Sequence, residues 1–347
     1  MAEKPNQDED VAVLRVGEGP ALREDEIDGW HGLEAACAAA DKEHQAMQGI
    51  PSRKRTAAVL RSPRPGGRTL RWTARDARGE TVGSAWLRLP DAVGDRPAAR
   101  FRITVHPEHR RRGTGAALLA AVRAEAVADG RGSLESLASE GSAAEQALTD
   151  WGFAPGARLI RLRLDVAGCD REALRATVRA ASEGYDLARW QGVVPADLTA
   201  AYVRARNAVD DPAGPEQSAR GALWDAAAVR GLAEGGAARG DALLTVAALH
   251  PDEQGQEEVA GFSEVVLRGG GGPQARQSST AVVRSHRGRG LGLWVKAAML
   301  QWLLGAHPEV AEVVTICAES NHHMIAINEQ LGFETVGRER EFTLTLA

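Results

Sequence analysis

Cysteine is scarce in this chain: Cys37, Cys169 and Cys317 are the only 3 in 347 residues, and they lie far apart with no paired spacing. That pattern suggests neither a disulfide framework nor a zinc site, and it fits a reducing, cytoplasmic setting. Long apolar runs are missing as well. The most apolar stretches, Ala116 to Val122 and Trp294 to Leu304, are too short or too interrupted to span a bilayer, and the acidic N-terminus has no signal-peptide layout, so no membrane partner is expected. Nor is there an excess of basic residues. Lys and Arg number 42 against 47 Asp and Glu, a formal charge of −5, which disfavours a nucleic-acid partner.

What remains is a globular composition, 44% hydrophobic and 26% charged, in a chain long enough for two cores. The polar residues 1–10 read as a mobile tail. Arg61 to Gly67 and Gly269 to Pro273 read as surface loops.

Sliding the chain on itself by about half its length reveals a repeat. The first half carries a strand-like Glu80 to Leu89, a second strand Phe101 to Val105, the basic turn Arg110-Arg111-Arg112-Gly113-Thr114-Gly115, an amphipathic run Ala116 to Ala128, and Trp151-Gly152-Phe153. The same order recurs as Glu258 to Leu267, Ser279 to Val283, Arg287-Gly288-Arg289-Gly290-Leu291-Gly292, an apolar run to Leu304, and Leu331-Gly332-Phe333. Two copies of one domain follow, residues 11–168 and 169–347, with the seam near Ala167 to Asp170 after the alternating Leu159 to Val166, which is expected to close the first sheet. Each copy reads as an α+β domain, a mixed, mostly antiparallel sheet with helices on both faces. In the second copy the periodicity predicts helices at Pro195 to Asn207, Gln217 to Glu234, Arg289 to Gly305 and Asn321 to Leu331. It predicts strands at Ala242 to His250, Val259 to Leu267, Gln277 to Val283, Val310 to Ala318 and Glu341 to Leu346.

The chemistry points to the two glycine turns. Arg287-x-x-Gly290-x-Gly292 puts glycines where the backbone must bend just before a helix, so main-chain N–H groups and the positive helix end converge on one spot. Such a spot suits a pyrophosphate. The spacing matches neither the dinucleotide fingerprint nor the loop of nucleoside triphosphatases. It resembles the acyl-CoA loop of the Gcn5-related N-acetyltransferases (GNATs), and Val105 to Gly115 is the closer of the two matches.

The resemblance spans nearly the whole chain, in tandem, and implies acetyl-CoA (coenzyme A) as cofactor. It implies that the strand before each loop splays from the strand after the helix, and that the pantetheine arm pairs with Ile103 to Val105 or with Thr280 to Val282. A backbone N–H near Val282 is then placed to polarise the thioester carbonyl. The family often carries an Asn after the fifth strand that helps hold the cofactor, and a Tyr five residues before the Phe of Gly-Phe that protonates the leaving thiolate. Those positions are Asn321 and Asn328 in the second copy, Gly141 and Leu148 in the first. The second copy is therefore the candidate for catalysis and the first for a scaffold or a cofactor-binding domain. An amide donates hydrogen bonds but is no acid near neutral pH, so Asn328 leaves the acid unassigned.

A base is needed to free the acceptor amine of its proton. The strands before the loops, Ala99 to Val105 and Arg276 to Val283, hold no carboxylate. Glu264 and Glu319 are the candidates, each set against the commoner role of a structural or solvated carboxylate. Asp210 and Asp211 could draw in a cationic amine or simply solvate a turn. His286 suits a proton relay or a phosphate contact, His322 and His323 lack converging metal ligands, and Cys317 reads as a small buried hydrophobe. The triple arginine, Arg110 to Arg112, is best used on CoA phosphates. The expected activity is direct acetyl transfer to a primary amine of a small molecule, by a monomer or homodimer. A mycothiol-synthase-like enzyme and a CoA-binding sensor without turnover are the rivals.

Overall fold

The computed structural model describes residues 11–18, 21–40, 52–62, 66–91, 97–180, 183–208, 224–251, 254–269 and 272–346. The expected tail 1–10, parts of both expected loops, residues 217–223 of one expected helix, and Asp210, Asp211 and Pro212 lie outside these.

The chain divides into two compact units, residues 1–138, 143–156 and 341–347 in the first, and 139–142 and 157–340 in the second. The first begins with β1 (Ala12–Arg15), α1 (Glu24–Ala40), α2 (Arg53–Arg61), β2 (Gly67–Arg75), β3 (Thr81–Pro90) and β4 (Ala98–Val105). It continues with α3 (Thr114–Ala128), β5 (Ser133–Ser139) and α4 (Ala143–Asp150). Its strands β1 to β4 are antiparallel in sequence order, and β5 lies parallel to β4. Alternation along β3 serves both faces of the sheet. Ala85 and Leu87 join Leu118 and Val122 of α3 in one core, while Trp86 packs on Ile27, Trp30 and Leu60 of α1 and α2.

The second unit takes in β6 (Ala154–Asp165), α5 (Arg171–Arg179), β7 (Asp186–Gln191), α6 (Thr199–Ala208), α7 (Ala226–Ala238), β8 (Ala242–Pro251) and β9 (Glu257–Leu267). After these come β10 (Gln274–Val282), α8 (Leu291–Ala306), β11 (Glu312–Ala318), α9 (His322–Gln330) and β12 (Glu334–Thr345), whose residues from Glu341 onward count with the first unit. Helix α8 is apolar around its whole circumference, and Lys296 is its only charged residue. A helix of that kind belongs inside a core. Val295, Leu300 and Leu303 are wholly buried, each worth about 1.5–3 kcal/mol of transfer free energy, so α8 is the element around which this unit condenses. On the other face of the sheet Trp190, Tyr202, Val229 and Phe262 form a separate core under α6 and α7.

The expected helices and strands of the second copy are present, with shifted ends. Strand β12 starts seven residues before the expected Glu341, and α5, which the sequence reading passed over, begins at Asp170, whose carboxylate accepts from the backbone N–H groups of Glu172 and Ala173. The larger difference concerns the closing strands. Strand β6, expected to complete the first sheet, pairs antiparallel with β11 from Leu159 to Asp165 and sends Ile160, Leu162 and Leu164 into the core of the second unit. Conversely, Phe342 and Leu346, from the end of the second copy, belong to the core of the first unit. The two copies have exchanged terminal strands. An alternating apolar pattern says that a strand has a buried face, not which sheet will bury it.

Among the described residues, no helix is long and apolar enough to cross a membrane.

Candidate active site

Each glycine turn begins in a short 3-10 turn, Pro107–His109 or Arg284–His286, and ends at a helix N-cap glycine in the left-handed region. Gly113 has φ 84° ahead of α3 and Gly290 has φ 74° ahead of α8, and neither helix has a side-chain cap. The first N–H groups of both helices are therefore left for an outside acceptor. At Gly288 and Gly290 no atom lies within 4 Å of where a Cβ would stand, so the space above the second loop is open. The loops share a brace: Arg110 Nε donates to the Val105 carbonyl at 3.2 Å, and Arg287 Nε to that of Val282 at 3.1 Å. They differ two residues before the cap, where Gly288 has φ 79° and Arg111 has φ 62°. An arginine there carries strain that the glycine avoids, which leaves the first loop costlier to form.

Beside each loop two parallel strands part. Strands β4 and β5 pair only from Ala98 to Arg100, and β10 and β11 only from Gln274 to Arg276. Where they part, a hydroxyl of the later strand reaches back to a carbonyl of the earlier one, Ser136 to Phe101 at 3.0 Å and Thr315 to Gln277 at 3.4 Å. Past that point the inner edges of β4 and β10 are splayed from their parallel neighbours. The second wedge has an irregularity the first lacks, a bulge between Gln277 and Thr280 opposite β9. The Gln277 amide is its internal tie, donating to the Glu264 carbonyl at 2.8 Å and to Ser263 Oγ at 2.9 Å, while Thr280 Oγ1 lies 3.0 Å from Ser263 Oγ.

Residues 68–154 match the acetyltransferase (GNAT) domain family. Among solved structures, a tandem GNAT protein from the clavulanic acid biosynthesis pathway is 28% identical with a TM-score of 0.80, and the match covers 97% of this chain and 98% of that one. Residues 68–154 thus carry a GNAT domain, and the whole chain is similar to a tandem GNAT protein. A GCN5-related N-acetyltransferase from Sphaerobacter thermophilus (15% identity, TM-score 0.60, 96% and 95% covered) shares the fold. So does a glucosamine N-acetyltransferase region of a fungal multi-domain GH3 beta-N-acetylglucosaminidase (14%, 0.66, 97% and 38%). No curated protein matches the sequence. Family and fold make the chain an acyltransferase, and the family match falls on the first copy, the one with the closer loop sequence.

Within this tandem chain the expected site residues fall into three groups. The loop and strand residues of each copy, Ile103, Val105 and Arg110 to Gly115 in one and Thr280, Val282 and Arg287 to Gly292 in the other, lie together at the mouth of a wedge. Asn321 is the N-cap of α9, its side-chain Oδ1 accepting from Met324 N at 3.1 Å. Glu264, by contrast, is 1% exposed, accepts from the Tyr202 hydroxyl at 2.5 Å and is ion-paired with Arg206. The guanidinium in turn sits over the rings of Trp224, Tyr202 and Phe262, 4.3 to 5.4 Å from their centroids. Burial pulls the Arg206 pKa down, but Glu264 and Tyr202 more than offset this and hold it above its ordinary value; burial also pushes the Tyr202 hydroxyl up. Of the two roles open to Glu264, this environment fits the structural carboxylate: the group is buried and its Oε1 is already engaged by Tyr202 and Arg206. Glu319 is 40% exposed beside Arg338 and Arg158, a solvated carboxylate.

His286 accepts or donates at 2.8 Å to the Tyr185 hydroxyl through Nδ1, and its Nε2 lies 3.5 Å from Glu258. It thus anchors the start of the second loop. Among the described residues, no group of three or more His, Cys, Asp or Glu side chains could hold a metal ion. Sequence reasoning did not single out Gln277 or Lys296. Gln277 looked like an ordinary strand residue, whereas a lone lysine inside the run Leu291 to Leu304 was a signal open to view.

Proposed function

We propose that the chain transfers an acetyl group from acetyl-CoA directly to a primary amine of a small molecule, with the chemistry in the second unit. The observation that carries this reading is the conjunction, present twice, of an uncapped helix N-terminus with a parted pair of parallel strands. In the second unit Arg287, Arg289 and the N–H groups from Gly288 to Gly292 hold the diphosphate. Pantetheine then lies along Thr280 to Val282, where the fixed backbone at Val282 faces the thioester carbonyl before charge develops on it. Gly292 brings α8 close to this strand, because a Cβ there would stand 3.7 Å from the Val282 side chain and 3.2 Å from Ile327.

Three features favour the second unit: the bulge at Gln277 to Thr280, the Asn321 cap, and a polar Asn328 where the first copy has Leu148. In the first unit the Val105 carbonyl accepts from the Cys37 thiol at 3.5 Å in addition to the arginine brace that both loops share. The thiol contact takes up part of the strand edge matching the one along which pantetheine lies, on this reading, in the second unit. The first unit is accordingly a scaffold, or holds a cofactor through Arg110 to Gly115 without turning it over.

Calorimetry with acetyl-CoA, paired with thiol release over a panel of amines, tests this. Gly290→Val puts a β-branched residue at a left-handed position, at about 1–2 kcal/mol of backbone strain, and projects a side chain into the open phosphate site. It is expected to abolish transfer and to weaken one class of cofactor site by at least about tenfold. Gly113→Val is expected to leave transfer intact and to lower stability or cofactor stoichiometry. Equal loss of turnover in two well-folded variants would end the division of labour, and absence of any CoA binding would end the reading itself.

A further inference from the structure

The helix side of the second wedge holds a polar cluster inside an otherwise apolar core. Lys296 lies one turn after Gly292 and so on the same face of α8, the face turned to Val282 and Ile327. It is 1% exposed, with its ammonium nitrogen 5.3 Å from the centroid of the Phe333 ring. Cys317 stands on β11 beyond the last residue that pairs with β10. Asn328 is 0% exposed, and neither its amide nitrogen nor its amide oxygen has a hydrogen-bond partner.

The first copy supplies an internal control. Counting from the glycine cap, from the parallel strand pair and from Gly-Phe, the positions of Lys296, Cys317, Asn328 and Phe333 are Leu119, Ala138, Leu148 and Phe153, all of them in or against one apolar core. The same architecture therefore packs without any polar group here. A buried cation and an unpartnered amide are disfavoured in such a core unless something else satisfies them. Gly292, one turn before Lys296, stands against Val282 at the end of β10 and against Ile327, the residue before Asn328, which brings both groups to the side of the wedge where the thioester rests on the reading above.

We propose that Lys296 is the group that protonates the sulfur of coenzyme A as it leaves, with Asn328 completing the sulfur's hydrogen bonds. This inference rests on the second unit being the acetyl-transfer site. In the step, the acceptor nitrogen attacks the thioester carbonyl carbon, the C–S bond breaks, and its electron pair passes to sulfur. The Lys296 ammonium gives that sulfur a proton and becomes a neutral amine. The proton shed by the newly acylated nitrogen leaves to solvent, and solvent returns one to Lys296. Burial lowers the Lys296 pKa to about 7, with Cys317 opposing the shift, so both protonation states are populated at neutral pH.

The test reads the sulfur itself and needs no acceptor. Ultraviolet thiolate absorbance of coenzyme A bound to the full chain is followed against pH, with desulfo-CoA as the blank that removes the protein's own cysteines. The bound thiol is expected to ionise about one pH unit or more below the free thiol in the wild type, and close to the free value in Lys296→Met and Lys296→Gln. With an amine substrate both variants should also lose about a hundredfold in kcat while KM for acetyl-CoA stays within a few-fold. Equal ionisation in wild type and variants, with coenzyme A bound in each, overturns the role of Lys296 and leaves the acetyltransferase reading standing. Failure of the wild type to bind coenzyme A overturns that reading too. Two variants guard against misfolding, and methionine matches the shape of the lysine stem.

Discussion

Glu264→Gln is expected to destabilise the second unit by about 3–5 kcal/mol, measured as a shift in the denaturant midpoint at unchanged m-value. The reason lies in what the substitution leaves behind. Arg206 is 6% exposed in its side chain, so removing the carboxylate strands a cation among the rings of Trp224, Tyr202 and Phe262, and the Tyr202 hydroxyl loses its acceptor. The rings hold the guanidinium in place but are worth only about 1–2 kcal/mol to a desolvated cation. Arg206→Met in the same background should therefore recover most of the loss. The double variant then falls well short of the sum of the two single ones, the mark of a coupled buried pair. If Glu264→Gln costs no more than an ordinary surface change, the pair is not buried as described. A catalytic role for Glu264 predicts a different pattern, lost turnover at undiminished stability.

Much of this molecule could be read without coordinates, and what could not be read shares a cause. Both glycine turns, the helices behind them and the Gly-Phe pairs are local features, each carried by residues adjacent in the chain, and the repeat is their recurrence in the same order. Asp170 before α5 was equally local, and its cap was visible in the sequence but went unused. The partners of Glu264 were out of reach, because Tyr202 and Arg206 come from a helix 58 or more residues earlier. The strand exchange was hidden for the same reason. Leu159 to Val166 announces a half-buried strand, but its pairing with Glu312 to Ala318 depends on a sheet edge about 150 residues away. Lys296 falls between these cases. Its place in an apolar helical run announced a buried charge, and only the fold showed that it lies near the ring of Phe333, on the face of the helix that Gly292 turns to Val282.

The buried lysine also makes a prediction about stability that is independent of catalysis. A folded-state pKa near 7 against an ordinary value of 10.5 means that, between those two pH values, the unfolded chain holds a proton the folded chain has given up. Stability contributed at this site therefore rises with pH across that window: the penalty is full below pH 7, shrinks as the pH climbs, and is gone above about 10.5. Its full size is at most about 5 kcal/mol, an upper figure for a group that can relax toward water. Lys296→Leu restores what the first copy has at Leu119 and should raise the unfolding free energy of the second unit by up to that amount at pH 6. The gain should dwindle steadily toward pH 10, where mutant and wild type converge. A gain that is constant with pH would mean that better packing, rather than relief of a buried charge, separates the two proteins. If Lys296→Leu gains stability but loses the shifted thiol of bound coenzyme A, then the second unit keeps a destabilising cation for the sake of the leaving sulfur, which the first unit, with leucine in its place, has no means to protonate.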